Sequence, residues 1–217
     1  MTNIVIQNLS KTIKKNVVIQ DISMELQSGT VYGFKGINGS GKTMLMRLIC
    51  GLIRPTQGEV SINGKVLGKD LSFPESVGVF LENPAFLGSY SGFQNLKLLA
   101  SIKSVADDEA IRSALSRVGL RPDDHKKYRK YSLGMKQRLG IAAAIMERPD
   151  IVILDEPTNS LDADGVNLVK SVIKDEKKRG ALVIISCHDA ELLQDLSDET
   201  FLLEQGRLVG HITEGTK

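Results

Sequence analysis

The sequence predicts an α/β fold, in which a mostly parallel sheet carries an antiparallel β-subdomain and an inserted α-helical subdomain. Three observations predict it. Short strand-like runs open the chain, several helical patterns follow one another in its middle, and strands alternate with helices in its last third. Strands that alternate with helices indicate a parallel sheet with crossover connections. A chain of 217 residues can bury one core, so a single domain over 1–217 is expected.

The first third is predicted to be rich in strands. Apolar runs mark strands at 4–6, 17–19, 22–26 and 31–34, and the last leads through a glycine-rich turn into a helix at 43–50. The pair Asn63-Gly64 separates two further apolar runs, and Asn-Gly is the strongest short signal for a hairpin turn. A hairpin at 59–62 and 65–67 is therefore expected, followed by a strand at 76–81.

The middle is predicted to be helical and the end to alternate again. Helical periodicity marks 93–102 and 107–118, and a third helix is expected over 133–146, ending before Pro149. These helices should form an α-helical subdomain at about 84–147, inserted between the two halves of the sheet. The remaining pattern predicts strands at 151–154 and 182–186, helices at 163–178 and 190–196, and a terminal hairpin around 204–207.

Composition excludes several classes of protein. A net charge of +2 with scattered Lys and Arg gives no basic stripe, so no nucleic-acid partner is expected. No apolar run approaches the roughly 18 residues that a membrane span needs, and the N-terminus lacks the pattern of a signal peptide. Cys50 and Cys187 have no disulfide or metal-site spacing, which favours a reduced, cytosolic protein.

Residues 36–43, GINGSGKT, match the phosphate-binding pattern G-x-x-x-x-G-K followed by Ser or Thr, at a predicted strand-to-helix junction. Glycines let backbone N–H groups turn toward phosphates, and the helix adds its positive N-terminus. Lys42 can reach the β- and γ-phosphates, and the Thr43 hydroxyl can hold Mg²⁺. The alternative is a glycine-rich turn without a ligand. The predicted nucleotide-binding residues are Gly36, Asn38, Gly39, Ser40, Gly41, Lys42 and Thr43.

An acidic pair ends a buried strand in IVILDEP, residues 151–157. Asp155 can support Mg²⁺, and Glu156 beside it can polarise an attacking water. His188 ends another strand, in IISCHD, where it can contact the γ-phosphate or that water. Each signal is weak alone, because strands often end in acidic residues and a single His is usually structural. The phosphate-binding motif makes the catalytic interpretation of Glu156 and His188 the favoured one.

Residues 131–138, YSLGMKQR, begin the third predicted helix. Ser132 is a good N-cap, so one interpretation is simply a helix start. A Ser hydroxyl, a glycine and a helix N-terminus together also form an anion site. Such a site could face the phosphate-binding loop of a second copy.

With these motifs the chain resembles the ATP-binding subunits of ABC transporters over essentially its whole length. The resemblance rests on GINGSGKT, on YSLGMKQR before IVILDEP, on NSLD at 159–162 and on SCHD at 186–189. It implies a P-loop NTPase (RecA-like) core, and two copies packed head to tail around two ATP molecules. It further implies that Ser132 and Gly134 act in trans, that Asp162 links the two sites, and that Glu156 is the catalytic base with His188 on the γ-phosphate.

Two departures from the family pattern concern the nucleotide. The usual Leu-Ser-Gly-Gly-Gln signature is replaced by residues 131–135, YSLGM, which keeps Ser132 and Gly134 but not the first glycine or the glutamine. The aromatic side chain that usually stacks on adenine is absent from residues 1–31, so contact from Ile13 or Val18 is expected instead. Stacking contributes about 1–3 kcal/mol in other base-binding proteins. Weaker nucleotide affinity and poorer base selectivity are therefore predicted.

A third departure is Glu82 in VFLENP, residues 79–84, where the family usually has glutamine. Its carboxylate can still ligate a hard cation, so Thr43, Glu82 and Asp155 are the predicted Mg²⁺ ligands. The alternative is neutral drift in a solvated loop. A glutamate here, with SLGMKQRLGIAAAI, resembles the lantibiotic-immunity and bacitracin-resistance exporters.

The resemblance implies an ATP- and Mg²⁺-dependent subunit that sits on the inner face of the cell membrane and drives a separate integral membrane subunit. Export of an antimicrobial peptide or a similar amphipathic compound is the favoured function. A soluble ABC ATPase that acts with a non-membrane partner remains the alternative.

Overall fold

The structure is a computed structural model that describes residues 1–81 and 85–213. Within these residues, ten strands form two sheets, with six α-helices around them. The strands are β1 (Asn3–Ile13), β2 (Asn16–Gln27), β3 (Val31–Lys35), β4 (Gln57–Ile62), β5 (Lys65–Val66), β6 (Val77–Phe80), β7 (Ile151–Leu154), β8 (Leu182–Ser186), β9 (Glu199–Glu204) and β10 (Arg207–Thr213). The helices are α1 (Lys42–Ile49), α2 (Gly92–Lys103), α3 (Asp108–Arg117), α4 (Leu133–Ile145), α5 (Ala163–Lys178) and α6 (Ala190–Leu196).

The larger sheet has the strand order β10-β9-β3-β8-β7-β6. Its five strands from β9 to β6 run parallel, and β10 pairs antiparallel with β9. The predicted parallel sheet with helical crossovers and a terminal hairpin is thereby confirmed.

Both faces of the larger sheet are covered. Along β7, Val152 and Leu154 belong to one buried apolar cluster, whereas Ile151 and Ile153 belong to another. Alternate residues of a strand point to opposite faces, so the two clusters lie on the two sides of the sheet. A continuous apolar run such as 151–154 is what a strand buried on both faces requires.

The smaller sheet is antiparallel, in the order β2-β1-β4-β5. The three short strands predicted at 4–6, 17–19 and 22–26 are pieces of two long strands, β1 and β2. Their apolar alternation breaks where the ladder bulges, because Asn8 and Asp21 adopt φ values of 47° and 49°. The side chains of these two residues are joined by a hydrogen bond of 3.1 Å across the bulge.

Helices α2, α3 and α4 fall between β6 and β7 in the chain. Each begins at a side-chain cap, from Ser91, Asp107 and Ser132 respectively. Helix α4 packs against β6 and β7, which carries its N-terminus beside the carboxyl ends of the parallel strands. No α-helix in 1–81 or 85–213 is long and apolar enough to cross a bilayer.

Candidate nucleotide site

The glycine-rich loop connects the end of β3 at Lys35 to the start of α1 at Lys42. Its last residue, Gly41, is the N-cap of α1 and has a φ of 107°, which is strained for any side chain. A Cβ at Gly41 would also lie 2.9 Å from the Ile19 side chain. The loop therefore closes tightly onto β2, and its backbone leads directly into a helix N-terminus that favours anions.

Lys42 places a positive charge inside this loop. The residue is only 6% exposed, and its Nζ donates to the Gly36 carbonyl at 2.6 Å and to the Ile37 carbonyl at 3.2 Å. The buried Ser40 hydroxyl has no hydrogen-bond partner within the described residues. A buried cation, an unpaired hydroxyl and a helix N-terminus fit a polyphosphate ligand.

Asp155 joins the loop to the sheet. It is 6% exposed, and one carboxylate oxygen accepts from the Thr43 hydroxyl at 2.5 Å while the other accepts from the Ser186 hydroxyl. Hard oxygen donors of this kind suit Mg²⁺ held together with phosphates and water. In the described part of the chain no group of three or more His, Cys, Asp or Glu side chains is placed to hold a metal ion by itself. Glu82, the third predicted metal ligand, lies outside the described residues.

Glu156 and His188 face each other. The Glu156 Oε1 atom lies 3.1 Å from His188 Nε2, and the buried Oε2 atom has no hydrogen-bond partner within the described residues. Burial raises the pKa of the Glu156 carboxyl, the charges of His188 and Lys42 oppose that rise, and Asp155 adds to it. A half-buried carboxyl with a raised pKa and one free oxygen is suited to accept a proton from water.

Residues 38–43 of the loop, Glu156 and His188 open onto one cleft of about 450 Å³, which also takes in the turn between β9 and β10. Gly36 and Asp155 are not among the residues that line it. Of the two apolar residues predicted to contact adenine, Val18 lines the cleft together with its neighbour Val17, whereas Ile13 does not. No aromatic residue is among the described residues that line it. The full lining is Val17, Val18, Asn38, Gly39, Ser40, Gly41, Lys42, Thr43, Met44, Glu156, His188, Gln205 and Gly206.

The remaining predicted residues lie away from this cleft. Ser132 caps α4 by accepting from the Met135 N–H at 3.2 Å and is exposed to solvent. Gly134 approaches the Ser160 carbonyl, which a Cβ on Gly134 would meet at 3.1 Å. Asp162 caps α5 by accepting from the Gly165 N–H at 2.9 Å. Ser132, Gly134 and Asp162 do not line the cleft of their own chain, so their predicted roles toward a second copy stay predictions.

Four contributors to the site carried no usable signal in the sequence. Ser186 donates to Asp155 and accepts from the Glu156 N–H at 2.9 Å, and Gln137 on α4 donates to the Glu156 carbonyl at 2.7 Å. Gln205 and Gly206 reach the cleft from the terminal hairpin, where the Gly206 N–H donates to the Ser40 carbonyl at 2.9 Å. Their contacts span at least 19 residues of sequence, so local pattern alone does not reveal them.

Curated relatives carry consistent names. The uncharacterized ABC transporter ATP-binding protein YybJ of Bacillus subtilis (strain 168) is 51% identical, over 93% of this chain and 92% of the relative. The bacitracin transport ATP-binding protein BcrA of Enterococcus faecalis is 35% identical, over 95% of this chain and 68% of the relative. The lantibiotic transport ATP-binding protein SrtF of Streptococcus pyogenes is 33% identical, over 94% and 88% respectively.

Solved structures share the architecture. An ATP-binding subunit of an ABC transporter matches with a TM-score of 0.87 and 25% identity, over 97% of this chain and 90% of that chain. A dimeric ATP-binding cassette with bound ADP and Pi matches with a TM-score of 0.88 over 97% and 98%, and at 20% identity it shows the fold alone. The predicted P-loop NTPase fold is confirmed. Because the ABC transporter family model also matches residues 19–159, this chain belongs to the ABC transporter family.

Proposed function

We propose that this chain is a Mg²⁺-dependent ATPase that works as the ATP-binding subunit of a membrane exporter. The observation that carries the proposal is the single cleft shared by the phosphate-binding loop, Glu156 and His188. The phosphate-binding loop and the N-terminus of α1 can bind the phosphates, and the half-buried Glu156 carboxyl can act as the base. Phosphoryl transfer to water needs both.

In the proposed reaction, Lys42 and the N-terminus of α1 bind the β- and γ-phosphates of ATP. Glu156 takes a proton from a water molecule while the water oxygen bonds to the γ-phosphorus and the bond to ADP breaks. His188 orients that water or contacts the γ-phosphate. Thr43 and Asp155 would hold Mg²⁺, which neutralises phosphate charge when bound. Glu82 is proposed as a further ligand on its sequence position alone.

A second copy is proposed to complete each site. Ser132 and the N-terminus of α4 form an exposed anion site that does not line their own cleft. Leu133 beside them is 68% exposed, an apolar surface that a head-to-tail dimer would cover. Asp162, also exposed, is proposed to lie at the same contact.

The membrane subunit is proposed to dock on α2. Leu98, Leu99 and Ile102 are exposed on this helix, with Ile102 at 77%, and Val105 is exposed just after it. Leu98 and Ile102 are four residues apart and so share a face. Exposed apolar side chains that share one helix face are the kind of surface that a protein partner can cover. Docking there would hold the chain on the inner face of the cell membrane.

The cargo is proposed to be an antimicrobial peptide or a similar amphipathic compound. Support comes from relatives that are named for bacitracin and lantibiotic transport. Deleting the chain in its native host should sensitise cells to such peptides. Restoring the wild type should rescue them, whereas Glu156→Gln should not. Unchanged peptide sensitivity after deletion would contradict this choice of cargo.

The docking proposal is tested by purifying the tagged chain from native membranes in mild detergent, with bound proteins identified by mass spectrometry. A stoichiometric multi-span protein is expected, and Ile102→Asp should remove it. Val209→Asp, which adds a charge at another exposed apolar site, is the matched control and should retain it. Recovery of the wild type only in the soluble fraction, with a non-membrane partner, would favour the alternative function and contradict the exporter.

A further inference from the structure

The backbone N–H and the backbone carbonyl of Glu156 are each hydrogen-bonded to a side chain. Its N–H donates to the Ser186 hydroxyl at 2.9 Å, and its carbonyl accepts from the Gln137 side chain at 2.7 Å. Between these contacts Glu156 has a φ of 53°, a left-handed conformation that is uncommon for residues other than glycine, Asn and Asp. Such a conformation persists where the surroundings enforce it, and here two side chains from distant elements do so.

Gln137 is an unusual residue at its position. It is 8% exposed, and the other side chains that α4 buries are apolar. A buried amide is costly unless it is hydrogen-bonded, and its donor is directed at the backbone of the proposed base. Three residues before Gln137, Gly134 brings the same helix against the Ser160 carbonyl. The first turns of α4 therefore rest on the loop that begins at Glu156.

We infer that Gln137 is a positioning residue that couples the orientation of the Glu156 carboxyl group to the position of α4. The same helix carries Ser132 at its N-terminus, the proposed contact for the nucleotide of a second copy. Movement of α4 on engaging that nucleotide would thus reach the base of its own chain through one hydrogen bond. The inference rests on the proposed function, because it takes Glu156 as the base.

The first experiment compares Gln137→Met, which keeps the length but removes the donor, with Gln194→Met, the same change at an exposed position on α6. We expect Gln137→Met to lower kcat by roughly tenfold or more, because the base loses its orientation. Affinity for ATP, the unfolding transition and ATP-driven dimerisation in a Glu156→Gln background should stay within about twofold of their unmodified values. Gln194→Met should leave all of these unchanged.

A second variant covers the case in which Gln137→Met fails to fold. Gln137→Glu is isosteric and donates a hydrogen bond only when protonated, and burial favours that neutral form. Its kcat relative to wild type should therefore rise as the pH falls. A kcat ratio that does not vary with pH while the variant stays folded would contradict the positioning role of Gln137.

Mixed dimers distinguish an effect of Gln137→Met on Glu156 from an effect of the same substitution on Ser132. In a pair of one Gln137→Met copy and one Ser132→Arg copy, the surviving site uses the intact base of the second copy and the Ser132 of the first. If Gln137 acts on its own Glu156, this site should run at the rate found when Ser132→Arg is paired with wild type. A slower site would show that the change acts through Ser132 and would overturn the inference.

The outcomes also distinguish this inference from the proposed function. If Glu156→Gln abolishes hydrolysis while Gln137→Met keeps kcat within about twofold of wild type, only the positioning role is overturned. If Glu156→Gln hydrolyses ATP as the wild type does, then Glu156 is not the base and both are overturned.

Discussion

At the scale of single residues, the Glu156 carboxyl is the group whose surroundings matter most. Burial raises its pKa, and the positive charges of His188 and Lys42 pull it back. As the proposed base, Glu156 must be ionised to accept a proton, so activity should fall as the pH drops through this raised pKa. The loss therefore begins at a higher pH than for an exposed glutamate.

The pH dependence of kcat/KM reports the groups of the free enzyme and tests this directly. The acidic limb should lie above the ordinary glutamate pKa of about 4.3. His188→Asn removes one of the two charges that lower the pKa of Glu156, so the acidic limb of the kcat/KM profile should move to a higher pH. A limb at or below the ordinary value in the wild type would contradict the raised pKa.

The residues of the site form two groups. One group lies in local sequence motifs, and the other reaches the site through contacts between distant segments. Lys42, Thr43, Asp155, Glu156 and His188 lie in short motifs at strand ends, where the topology of a parallel sheet brings them together. Sequence reasoning therefore named them, although their chemical roles stay predictions. Gln137, Ser186 and the hairpin turn at 205–206 enter through contacts between distant segments. No local period or spacing signals such contacts.

At the scale of elements, Gly78 controls how closely α4 approaches β6. A Cβ on Gly78 would lie 1.7 Å from the Ala144 carbonyl and 2.7 Å from Pro149. Gly78→Ala should therefore force α4 off the strand and lower the free energy of unfolding by about 1–3 kcal/mol. Denaturant unfolding measures the change.

Gly88→Ala is the control for that substitution. Its Cβ would meet only Arg129 Cβ, at an ordinary 3.4 Å, so the unfolding midpoint should stay near that of the wild type. Equal stability of both variants would mean that α4 can shift away from β6 without cost.

Another link between elements is the buried ion cluster around Glu176 on α5. The Glu176 side chain is 1% exposed and meets Arg117 of α3 at 2.8 Å, with Arg179 as its second partner. Removing one member of a buried pair typically costs about 3–5 kcal/mol. Glu176→Gln should lose somewhat less than this, because both arginines are partly exposed.

The matched control is Asp195→Asn, which breaks the exposed pair between Lys170 and Asp195. An exposed pair contributes little to stability because water and salt screen it, so chemical denaturation should separate the two variants clearly. If both lost the same small amount, the Glu176 cluster would not be a significant link between α3 and α5.

Elements were predicted more reliably than their ends. The helix 163–178 and the strands 151–154 and 182–186 agree with the structure at both ends, because a buried run or a clear periodicity bounds them. β1 and β2 were fragmented because Asn8 and Asp21 interrupt the alternation at a bulge. A bulge depends on the partner strand, which a single strand's pattern does not contain.

At the scale of the whole molecule, the proposed head-to-tail arrangement predicts that two inactive variants restore each other. Lys42→Ala removes the phosphate contact of its own cleft, and Ser132→Arg blocks the site offered to the other copy. In a mixed dimer both defects fall in one site and leave the other intact. Random pairing makes roughly half of the dimers mixed, so the mixture should regain about a quarter of the wild-type hydrolysis rate if sites act independently.

Each variant alone should be inactive in the same assay, which serves as the baseline. A mixture that stays inactive would contradict a site shared between copies, or would show that both sites must be intact for turnover. The fraction of the mixture that dimerises with ATP, measured with Glu156→Gln added to both variants, distinguishes these two outcomes.

The contact between the terminal hairpin and the phosphate-binding loop has a consequence for biosynthesis. The Gly206 N–H bonds to the Ser40 carbonyl, and the Gln20 N–H bonds to the Gly206 carbonyl, so this turn bridges the loop and β2. A ribosome makes this turn long after the phosphate-binding loop has been synthesised. The nascent chain therefore lacks a finished nucleotide site until the hairpin of β9 and β10 has been translated, and a product truncated before the hairpin would lose both of these contacts.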